Sequence, residues 1–173
     1  MVTTLLIISL VLVALYVGAT ILPTRELPES ISAMVFELKK PWRWVWSVWL
    51  ATVTVMISPA LTAAMPDVWY GIAGHIFIVL LAMTAAMPLL PGYHNKAHYI
   101  CGIAAGIMSQ VCVALICPWW LMAWCALIIL PLCDRKWYVP GLPMWIIRSK
   151  VFILEVMCAI PFFGSLFTNL LMK

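Results

Sequence analysis

Six stretches of this chain are each long and apolar enough to cross a bilayer, and that constrains its fold more than any other feature. They lie at about 2–22, 42–64, 68–90, 97–117, 119–133 and 151–171. A transmembrane helix needs roughly 20 mostly apolar residues. The fifth stretch is short and either begins inside the Pro118-Trp119-Trp120 turn or borrows length from the interface. Composition leads to the same place. Of 173 residues, 66% are hydrophobic and 9% are charged, and mean hydropathy is +1.11. A domain this size buries only about 70% of its unfolded surface, so a soluble fold would leave much of this apolar surface in water. A soluble enzyme, a disordered chain and a disulfide scaffold are excluded. The expectation is all-α: one integral membrane domain over 1–173, a six-transmembrane-helix bundle in contact with the lipid bilayer. The first stretch reads as a retained span, since Met1-Val2-Thr3-Thr4 carries no Lys or Arg and no Ala-x-Ala site follows.

Orientation follows from the basic residues. Arg25, Lys39, Lys40 and Arg43 fall in the first connection, Lys96 in the third, and Arg135, Lys136, Arg148 and Lys150 in the fifth. Of the ten Lys and Arg, only Lys173 falls elsewhere. These three connections are therefore predicted to be cytoplasmic, in the plasma (inner) membrane, with both termini outside. The net charge of +4 is this topology signal, and no basic run reads as a nucleic-acid surface. Trp42, Trp44, Trp46, Trp137 and Trp145 fit an inner aromatic belt, and Trp69, Trp119 and Trp120 an outer one. Leu27, Ile31, Met34 and Leu38 keep helical spacing, which predicts a short interfacial helix from about Pro28 to Lys40, stopped by Pro41. The fifth connection, rich in Pro and Gly, is expected to lie against the membrane surface.

Ionisable groups at membrane depth are costly, so each is a candidate for function. Glu155 stands about 6 Å into the sixth span. His75 stands about 10 Å below the outer end of the third. Gln110 lies near that depth in the fourth, so His75 and Gln110 are predicted to form a structural polar pair. Gly102-Ile-Ala-Ala-Gly106 is a GxxxG pattern, where small residues let backbones approach. It suits packing of the third and fourth spans, or a homo-oligomer through Gly102 and Gly106. Pro59, Pro131 and Pro161 are expected to bend their helices. The six cysteines show no metal-binding spacing and read as small buried apolar residues.

His94-Asn-Lys-Ala-His98 is the sharpest local motif. Two imidazoles four residues apart on a helix share a face and can hold one metal, zinc in the first instance. The competing reading is a solvated cap beside Lys96. A third ligand has to come from the same side of the membrane, which excludes His75 and admits Glu155, Glu29, Ser30 or Ser32. Catalysis there would need Glu155, Ser30 and His98 to converge.

Two resemblances follow from these residues. A serine early in the bundle, an aspartate (Asp67) and His94-x3-His98 make the chain resemble the ceramidase-like and progestin/adiponectin-receptor-like membrane hydrolases. That resemblance implies a zinc-dependent intramembrane hydrolase with His94 and His98 as ligands. In that superfamily the paired motif lies in a late span, whereas here it precedes the fourth. Separately, Pro28-Glu29-Ser30-Ile31-Ser32, the Trp42, Trp44, Trp46 entry to the second span and a histidine leading the fourth resemble six-span polytopic proteins of bacterial and phage genomes. This implies a layout and no particular activity. Three classes follow: an interaction or scaffold protein of the membrane, a metal-dependent hydrolase working at the cytoplasmic leaflet, and a small transporter or channel-like bundle. Few buried charges favour the first, and no inverted repeat supports the third.

Overall fold

A computed structural model of the chain describes residues 1–24, 30, 31, 35, 38, 40–90, 95–125 and 150–172. Among these residues the regular structure is helical throughout. Five long helices carry the fold: α1 (Val2–Thr24), α2 (Arg43–Ala64), α3 (Val68–Ala86), α4 (Asn95–Ile116) and α5 (Lys150–Leu171). All five are long and apolar enough to cross a membrane. Short 3-10 turns at Lys40–Trp42, Met87–Leu89 and Pro118–Met122 link them to their neighbours.

Proline sets most of the breaks. α2 stops at Ala64 because Met65 precedes Pro66, and Met65 takes a non-helical φ of −124° and ψ of 67°, as a residue before proline tends to. Asp67 then caps α3, its side chain accepting from the Trp69 N–H at 3.1 Å, which satisfies one of the free amides at a helix start. α4 ends before Cys117, held extended by Pro118, and the next turn begins on that proline. Pro59 and Pro161 behave differently, since α2 and α5 run through them without interruption.

Each of α1 to α4 packs on the next, and α5 closes the bundle against α4, α2 and α1. We call the end where α1 and α3 finish and α2, α4 and α5 begin basal, and the other apical. Between α1 and α2, the Tyr16 and Trp49 rings stack with centroids 4.3 Å apart. The Trp49 indole donates to the Leu12 carbonyl at 3.1 Å. Gly74 brings α3 close to α2, for a Cβ there would sit 3.2 Å from the Leu61 side chain. Phe77 of α3 meets Phe162 of α5 with centroids 4.7 Å apart. One apolar cluster, including Leu6, Ile57, Leu61, Phe77, Val113 and Leu166, fills the middle. A second, at the basal end, is built on Val35, Trp46 and Phe152.

α4 and α5 run parallel. Trp120, just past the end of α4, donates its indole hydrogen to Thr168 near the end of α5 at 2.9 Å. Both helices thus start at the basal end and finish at the apical one, where α1 starts.

The expected fifth span, 119–133, opens as the 3-10 turn Pro118–Met122 and is helical at 123–125, and its remainder lies outside the described residues. Most of the expected helix over 28–40 lies outside them too, as does Pro131. Its described residues Ile31, Val35 and Leu38 turn inward onto the basal cluster, with Val35 fully buried. Two tryptophans assigned to aromatic belts pack against the protein, one buried and one half-buried. Trp46 is buried among Val35 and Phe152, and Trp120 packs over Gly164.

Candidate functional site

The basal end holds three of the polar residues that the sequence singled out there, His98, Glu155 and Ser30, while Glu29 and Ser32 lie outside the described residues. α4 begins at Asn95, so His98 stands one turn in, facing the end of α3. It is fully buried, with Nδ1 3.2 Å from the Thr84 carbonyl oxygen. A carbonyl only accepts, so Nδ1 carries the hydrogen and Nε2 is the acceptor in the neutral ring. The Trp46 ring lies beside it, centroids 5.2 Å apart and tilted by 58°. On α5, one and a half turns in, Glu155 is half-buried and its Oε2 accepts the main-chain N–H of Ile31. That bond ties the connection after α1 to α5. Ser30, the residue before, is buried, with a relative exposure of 2%. Below them the Val35, Trp46 and Phe152 cluster excludes water. The Trp46 Nε1 and Ser47 Oγ atoms are buried here without a hydrogen-bond partner.

Glu155, Ser30 and His98 thus share one end, and Glu155 spends one carboxylate oxygen on the chain beside Ser30. The Nδ1–H to carbonyl arrangement of His98 is one that also orients histidine ligands of metals. Among the described residues, though, no three His, Cys, Asp or Glu side chains converge at metal-binding range. His94 lies outside the described residues. Asp67 serves as the cap of α3 at the apical end, far from this group.

The predicted His75–Gln110 pair is not formed. Depth was matched, but the two side chains leave their helices in different directions. His75 points outward from α3 and turns its Nδ1 to its own Gly71 carbonyl at 2.6 Å. Gln110 faces α5, where Nε2 donates to the Cys158 carbonyl at 3.1 Å and to the Ser109 hydroxyl at 2.9 Å. Its Oε1 accepts the Trp124 indole hydrogen at 2.8 Å. Pro161 lacks the N–H that would serve the carbonyl four residues back, and its ring crowds that turn. The carbonyl freed in this way is that of Met157, and the Gln110 side chain binds the one after it, at Cys158.

The glycine pattern also divides. A Cβ at Gly106 would meet Cys158 Sγ at 3.6 Å, so Gly106 packs on α5 instead of α3, while Gly102 has nothing within 4 Å. The residues that reading the chain missed are Trp120, Trp124 and Gly164. A glycine three residues after Pro161 and a tryptophan pair at the start of the fifth stretch were the available signals.

Comparison with protein families, with curated proteins and with solved structures finds no match for this chain.

Proposed function

We propose that this chain is a six-span protein of the plasma (inner) membrane that works as an interaction or scaffold protein, with both termini outside. What carries the reading is where the polar groups go. Gln110, Trp120, Trp124, Trp49 and Glu155 are each spent on binding one part of the chain to another. Much of the outward surface is aliphatic, as at Val48, Val55, Val79, Ile103 and Ile107. Such a body is built to sit in lipid and to meet other helices there.

The parallel run of α4 and α5 supports the sixth crossing. Each is about 33 Å long at 1.5 Å per residue, so the intervening residues 126–149 have to return from the apical end to the basal one. The basal end also holds Arg43 and Lys96, which agrees with a cytoplasmic assignment. A cysteine placed at Thr24 should resist an impermeant thiol reagent on intact cells and react after permeabilisation. Reaction in intact cells would reverse the orientation.

A second reading, the hydrolase, rests on Glu155, Ser30 and His98 sharing the basal end. Metal content of the purified protein separates the two. Substoichiometric zinc in the parent, His98→Ala and Glu155→Gln is the outcome expected of an interaction protein. Stoichiometric zinc, lost in both variants, would overturn it in favour of the hydrolase.

A further inference from the structure

We draw no further inference here: the strongest candidate, the buried side-chain cluster at the start of α2, where Trp46 Nε1 and Ser47 Oγ have no hydrogen-bond partner and the Trp46 ring lies beside His98, belongs to the site already described, and nothing among the described residues shows what would meet either atom.

Discussion

Gly164 has no side chain because Trp120 occupies the space one would take. A Cβ there would lie 2.7 Å from the indole ring, closer than real carbon contacts allow. Gly164→Ala should therefore push Trp120 off Thr168 and cost about 1–3 kcal/mol, read by SDS-titrated unfolding in mixed micelles. Gly102→Ala is the control, because nothing stands within 4 Å of that Cβ. It should leave stability unchanged or raised by up to about 1 kcal/mol. Glu155 offers a second test at this scale. Glu155→Gln keeps an acceptor for the Ile31 amide, whereas Glu155→Leu leaves that half-buried amide without one, at about 1 kcal/mol. Hydrogen exchange at Ile31 should stay slow in the glutamine variant and quicken in the leucine variant. Equal exchange in both would show that the carboxylate does not hold the loop. Glu155 was legible from the chain because a lone acid in an apolar run has to find a partner. Gly164 was not, because its meaning depends on an aromatic ring more than forty residues away.

At the scale of elements, α4 and α5 are joined through Gln110, which binds the Cys158 carbonyl and receives the Trp124 indole. Hydrogen bonds between membrane helices average about 0.6 kcal/mol and reach about 1.7. Gln110→Leu should thus cost about 1–2 kcal/mol, since it also strands the Trp124 N–H. His75→Leu should leave the unfolding of the monomer nearly unchanged, because His75 bonds only within its own helix. Comparable losses in the two variants would contradict this separation. Helix existence and approximate depth were readable from runs of apolar residues, as were the breaks near Pro66 and Pro118. Rotation was not. Matched depth paired His75 with Gln110, but a helix apolar on all sides carries too little asymmetry for the chain alone to say which face turns inward. For the same reason Gly106 was assigned to α3 when it faces α5, and Trp46 to an interface when it is core.

For the whole molecule, the decisive relation is the parallel run of α4 and α5, fixed at the apical end by Trp120 and Thr168. The proposed sixth crossing would supply the return between these two parallel neighbours, and the basic residues at 135, 136, 148 and 150 are the sequence feature that puts its far end in the cytoplasm in that proposal. The measurement that bears on this most directly is a set of reporter fusions joined after Met122, after Tyr138 and after Met172, using a phosphatase active only outside the cytoplasm. The six-span arrangement predicts high phosphatase activity after Met122, low activity after Tyr138 and high activity again after Met172. High activity after both Met122 and Tyr138, with low activity after Met172, would mean that residues 126–149 never cross, and would contradict it.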